Sequence, residues 1–219
     1  MIDLPLFPLN TVLFPTMPLS LHIFEDRYKQ MINMCISEKM PFGVLLITDG
    51  VEALGPLAET QLMGCTARIT QVQPLQQGKM NLVAIGEERF KVYEIDRESQ
   101  PFLVGKVETL PLLNKEDSRL EAQGDQLRPH VVRYLDILAQ AGDVQFSADQ
   151  LPQDPLSLAY LAAFLVRIEA DKKQSLLEVN GAAKFVSKVK ALYMTETAIL
   201  ETMLKHQDDD ENIGPFSLN

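Results

Sequence analysis

Tryptophan is absent from this chain, cysteine occurs twice and histidine three times, and aromatic residues make up only 7% of 219 positions. Two cysteines are too few for a disulfide framework or a four-ligand zinc site. Cys35 and Cys65 both fall at apolar positions, where a free thiol behaves as a small core hydrophobe, so a pair of reduced, buried thiols is expected. His22, His130 and His206 lie on three separate elements, with no His-x-x-x-His or Cys-x-x-Cys spacing, and no metal site is expected. No apolar run approaches the ~20 residues of a membrane span, and no basic segment leads into an apolar leader. A soluble, cytoplasmic protein is the expectation. Basic residues are also scarce: 20 Lys and Arg face 30 Asp and Glu, for a net charge of −10. Nucleic acid and anionic membrane both demand clustered cations, so neither is expected as a partner. Four of the negative charges form one run, Asp208 to Glu211, which leaves the rest of the chain only mildly acidic.

What is present is hydrophobic content of 46%, enough for a sizeable core, and a strongly organised opening. Leu4 to Ile32 begins as short apolar runs divided by Pro5, Pro8, Pro15 and Pro18. Proline lacks a backbone donor, so these runs read as strand ends, edges and bends. Leu19, Leu21 and Ile23 then alternate with Ser20 and His22, the period of a half-buried strand. From Phe24 the period lengthens: Phe24, Tyr28, Met31 and Cys35 fall on one helical face, and Glu25 and Asp26 suit a first turn.

Further on, Phe42 to Thr48 reads as a buried strand, and 51–62 as a loop holding Gly55-Pro56. Gly64 to Pro74 is a strand whose apolar set shifts from odd (Cys65, Ala67, Ile69) to even (Val72), which predicts a bulge. Gln76 to Lys79 is a hairpin turn. Two strands follow, Leu82–Ile85 and Phe90–Ile95, separated at Gly86, and Phe102 to Leu110 closes the series. Six or seven short strands and one helix in about 110 residues suggest a bent sheet or barrel, with a sandwich equally compatible. After Leu113 the period is helical. Arg119–Ala141 is expected to kink or break at Pro129. Asp154-Pro155 starts a second helix, 171–179 forms a short third, and a long last helix runs from Ala182 to about Lys205. The division expected is therefore 1–113 for the strands, 114–206 for a helical bundle and 207–219 for a disordered acidic tail.

The opening also resembles a known family. PLFPL, VLFP, PLSLHIFE and FEDRY (4–28) look like the start of the Lon N-terminal domain, the substrate-recognition part of the ATP-dependent Lon protease. Phe42 to Leu46, Met63 to Ile69, Ile85 to Phe90 and Phe102 to Gly105 continue that pattern in order, and LAYLAAFL (158–165) and KKQSLLE (172–178) extend it more weakly. Thr16 stands where the family usually has glycine after FP, and Asp26 replaces a common proline. The resemblance implies an α+β protein: a PUA-like β-barrel with one helix, then a C-terminal helical bundle. It further implies a non-enzymatic module, free of ATPase and protease domains, that binds polypeptide segments.

Catalytic signatures are missing in the residues themselves. Gly78-Lys79 lacks an upstream glycine, precedes Met80 and sits in a hairpin, so it is no phosphate loop. Ser187 and Lys188 are adjacent on a helix, about 100° apart, and cannot face each other as a dyad. No catalytic, cofactor-binding or metal-binding residue is assigned, and no cofactor is expected. His22 reads as the polar side of a strand, with a ligand role as the alternative. Arg27 reads as an ion pair holding helix to barrel, with a partner's carboxylate as the alternative. Met31, Met34, Met40, Met63 and Met80 read as core filling unless they prove to be an exposed cluster. No residue is singled out for partner binding. The expected function is capture of extended or unfolded polypeptide in a groove between barrel and helices; the alternative is an RNA-binding PUA-like protein, against which the acidic charge argues.

Overall fold

A computed structural model describes residues 1–140, 142 and 147–212, with side chains to Leu204. Among these residues seven strands form one mostly antiparallel sheet: β1 (Ile2–Leu9), β2 (Pro18–Ile23), β3 (Phe42–Asp49), β4 (Glu59–Thr60), β5 (Met63–Pro74), β6 (Met80–Asp96) and β7 (Leu103–Thr109). Among the described residues five α-helices accompany them: α1 (Asp26–Glu38), α2 (Arg119–Gln140), α3 (Pro155–Leu165), α4 (Ala170–Leu177) and α5 (Ala182–Asn212). The class is α+β. Contacts divide the chain into two compact units, Met1–Leu113 with Ala163–Gly181, and Asn114–Ala162 with the chain from Ala182 onward.

In the first unit the strand order is β1-β7-β6-β5-β3-β4, and β1 also pairs in parallel with β3. The pairings therefore form a circuit that returns to β1. This explains how β1 carries Pro5 and Pro8. Residues Ile2 to Leu6 pair with β7, and Leu6 to Leu9 pair with β3, so only Leu6 is shared by both ladders. Each proline sits where one side of the strand needs no donor. Inside the circuit, Leu4, Leu6, Leu45, Phe90, Val92, Leu103 and Val107 form a fully buried cluster.

β6 is one 17-residue strand, where the spacing at Gly86 predicts two. Gly86 is instead a point of close approach. A Cβ there would lie 2.2 Å from the Phe14 carbonyl oxygen. The Gly86 N–H donates to the Met17 carbonyl (2.9 Å), and the Gly86 carbonyl accepts from the Thr16 N–H (2.8 Å). Thr16, at the family's glycine position, has φ 66°, a left-handed conformation that crowds any Cβ. The register of β5 against β6 slips twice, between Cys65 and Ala67 and between Ile69 and Gln71. At the first slip the Thr66 hydroxyl donates to the Glu88 carbonyl and accepts from the Glu88 N–H. The second is the bulge that the odd-to-even shift predicts.

Segment 163–181, read from the sequence with the helices, packs with the sheet. Arg89 of β6 is 2% exposed, and its Nη1 donates to the carbonyls of Leu177 (2.7 Å) and Val179 (2.5 Å) at the end of α4. Those carbonyls have no partner within the helix, so the guanidinium supplies one. Gln174 donates to the Met63 carbonyl (3.0 Å), and Leu113 forms a bridge to Gly181.

In the second unit, Tyr134 meets Tyr193 edge-on at 5.0 Å, Tyr160 packs on Phe185 at 5.0 Å, and the Tyr193 hydroxyl donates to the Ala162 carbonyl. Asp154 caps α3 as expected, accepting from the Ser157 N–H at 2.7 Å. α2 is continuous through Pro129. α5 runs past Lys205 to Asn212, acidic run included, because no glycine or proline intervenes before Gly214-Pro215. Residues 213–219 of the expected tail lie outside the described residues.

Candidate functional site

A ligand-sized surface lies on the first unit, where β6 is flanked by β2 on one side and β5 on the other. Three cross-strand rows can be read from the register: Ser20–Val83–Gln71, Leu21–Leu82–Val72 and His22–Asn81–Gln73. Pleating sends the first and third rows to one face and the middle row to the other. A cleft of about 600 Å³ is lined by all three rows, by Leu21, Val72 and Leu82 as well as by Ser20, His22 and Asn81. Here the His22 ring nitrogen Nδ1 is 2.7 Å from the Asn81 side-chain oxygen, and the ring stacks 5.9 Å from Phe24.

Beside it lies a smaller groove of about 330 Å³, between the end of α1 and β5, lined by Ile36, Lys39, Met40, Arg68, Ile69 and Val72. The bulge shapes this groove. Ile69 pairs with Ala84 and Val72 with Leu82, two residues of β6 that share the buried face. Without the extra residue, Ile69 and Val72 would point to opposite faces. Ile36 and Val72 stay 42% and 39% exposed. Arg68 is ion-paired with Glu87, while Lys39, in the left-handed C-cap of α1, makes no ion pair among the described residues.

α1 is held firmly. Tyr28 is 4% exposed and stacks on Phe7 of β1 at 4.2 Å. Burial pushes its hydroxyl up to about 12, partly opposed by the Arg27 cation. The Lys29 ammonium bonds Asp26 and reaches the Gln77 carbonyl of the β5–β6 turn. Phe24, expected on the buried helix face, precedes the helix and is 37% exposed, because Glu25 is still in an extended conformation. Arg27 pairs with Glu25 (2.9 Å) and lies over the Tyr28 ring, so its ion pair is local to the start of α1.

Residues 3–192 match the family described as the ATP-dependent protease La (LON) substrate-binding domain. The chain belongs to that family. It is 25% identical over 213 residues to the Lon protease of Syntrophus aciditrophicus, covering 93% of this chain and 26% of that protein. It is 27% identical to the Lon protease of Paraburkholderia phytofirmans, covering 82% of this chain and 22% of the relative. The chain thus spans about a quarter of the length of these curated relatives. Among solved structures, a Lon N-terminal domain protein from Xanthomonas campestris aligns with TM-score 0.59 at 23% identity, covering 87% of this chain and 98% of the other. The N-terminal domain of Mycobacterium avium complex Lon protease aligns with TM-score 0.65 at 17% identity, covering 88% and 98%. These likenesses establish the Lon N-terminal fold.

The remaining residues weighed in the sequence are scattered. Cys35 and Cys65 are buried free thiols; burial pushes the Cys35 thiol up to about 11 and the Cys65 thiol higher still. Met31 and Met80 are buried and Met34, Met40 and Met63 half-buried, so they form no exposed cluster. Gly78 is in the turn between β5 and β6, with φ 69°. Ser187 accepts from the Gln123 amide. His130 lies on α2 and His206 on α5, neither near His22 in the chain. Among the described residues no cluster of three His, Cys, Asp or Glu could hold a metal, and no helix is long and apolar enough to cross a membrane. Sequence reasoning named no groove between α1 and β5, although the parity shift between Ile69 and Val72 marks the bulge that shapes it.

Proposed function

We propose that this Lon-family domain recognises extended or unfolded polypeptide, and that its first unit is a PUA-like β-barrel serving as the recognition body. The observation that carries the function is the match to a substrate-binding domain over residues 3–192. The circuit of pairings from β1 through β7, β6, β5 and β3 supports the barrel. No catalytic step is assigned to the domain; its contribution is to hold a chain segment. Association costs several kcal/mol in lost freedom, and ordering a flexible segment costs more, so a groove of a few hundred Å³ gives micromolar or weaker affinity. Apolar contact dominates, and high salt leaves binding largely intact.

The test is a titration of the protein with a reduced, carboxymethylated model protein, followed by anisotropy and amide exchange. Binding in the micromolar range that survives high salt supports the proposal. No binding at ~100 µM, or tighter binding to single-stranded RNA than to polypeptide, overturns it.

A further inference from the structure

β5 has a free edge. It pairs with β6 along nearly its whole length, but with β3 only at Cys65, Thr66 and Ala67. From Arg68 to Pro74 no second strand lies alongside, and among the described residues no other backbone hydrogen bond reaches this stretch. In an antiparallel ladder alternate residues turn both N–H and C=O away from the partner strand. Half of this stretch therefore presents its peptide groups outward. Such an edge is a template for one more strand. Its protection is a bulge between Ile69 and Gln71 and the charged Arg68 at its start. Pro74 guards its end, but Ile69, Thr70, Gln71, Val72 and Gln73 carry no charge.

The edge also opens onto the groove described above, so a strand added there would not lie on bare sheet. Its inward-pointing side chains would enter the space bounded by Ile36 and Met40 of the α1 end and by Ile69 and Val72. Outward-pointing side chains would remain in water. A strand edge beside a helix thus asks two things of an occupant: an extended backbone, and apolar side chains at every second position.

We infer that the α1–β5 groove takes an extended polypeptide segment by strand addition to the Arg68–Pro74 edge, with alternate apolar side chains packed against Ile36, Met40, Ile69 and Val72. The inference rests on the polypeptide-binding reading and gives it a place and a geometry. In this geometry main-chain bonds supply sequence-independent affinity, and the side-chain requirement is only alternation. Unpaired Lys39 at the groove's rim favours acidic over basic flanks. An exposed ion pair of this kind is worth about two- to fivefold in affinity.

The experiment uses the full chain and a capped nine-residue peptide of alternating valine and threonine, flanked by glutamates, together with the carboxymethylated protein above. Backbone N-methylation of the peptide at alternate residues removes donors from one edge and leaves every side chain in place. One of the two methylation registers should weaken binding about tenfold and the other should not. Ile36→Lys and Val72→Lys, both at exposed positions, should each cost about tenfold, while Ser20→Lys in the neighbouring cleft should not. Amides of 68–73 should gain protection on binding. Lysine-flanked peptide should bind two- to fivefold more weakly, a difference that Lys39→Ala abolishes. If wild type binds polypeptide but neither N-methylation register nor Val72→Lys changes the affinity, strand addition is wrong and the polypeptide reading stands. If wild type binds no polypeptide, both fall together.

Discussion

From Cys65 to Ala67, β5 is buried and paired with strands on both sides; from Arg68 to Pro74 the same strand is largely exposed and paired on one side. The first part helps close the circuit that encloses Phe90 and Leu6, and the second part projects beyond it with β2 and the start of β6. Hydrogen-bonding groups that have no partner inside the fold are the groups available to something outside it. The difference separates residues selected for packing from residues free to bind, within a single strand.

The sharpest way to break this comparison is to truncate a ring in the closed part. Phe90 is fully buried in the central cluster, and Phe90→Ala should cost about 3–5 kcal/mol, measured by urea unfolding. A cost below about 1 kcal/mol would mean the circuit is not the core. Next comes Arg89→Met, which strips the Leu177 and Val179 carbonyls of their donor and should cost about 2–3 kcal/mol, with amide exchange in α4 rising first.

The two thiols sharpen the contrast chemically. Cys65 lies in the closed part and Cys35 lines the groove; burial raises both, Cys65 further. The neutral thiol is the form the fold favours. That stability is complete below the unfolded value of 9.0 and is lost as pH rises through the folded value of about 11 for Cys35. Melting temperature should therefore fall between pH 9 and 11, and a thiol reagent at pH 8 should label Cys35 before Cys65.

Smaller effects probe the margins. Thr16→Gly should raise stability by about 0.5–1 kcal/mol, because glycine relieves the φ of 66° that a β-branched residue tolerates poorly. Calorimetry showing a loss would mean that the Thr16 side chain contributes more than its backbone strain costs. Smallest of all, Val72→Ala in the open part should cost less than about 0.5 kcal/mol, against several for Phe90→Ala.

Short-range chemistry made much of this protein legible in its sequence. The alternation of Leu19 to Ile23, the turn at Gln76 to Lys79, the cap at Asp154-Pro155 and the bulge between Ile69 and Val72 each depend on residues a few positions apart, and each stands in the structure. Tertiary contact decided the rest. Gly86 looked like a strand break, yet its missing Cβ lets the Phe14–Met17 segment cross β6. Arg89 carries no local sign of burial, yet it is buried against the end of a helix 88 residues away. Pro5 and Pro8 looked like interruptions, yet they sit where β1 exchanges one partner strand for another. The free edge of β5 belongs to the same class, since it exists only because β3 stops pairing at Ala67. Propensity and period act through neighbours in the chain, whereas the pairing of distant strands and the burial of a lone cation depend on what the fold brings alongside.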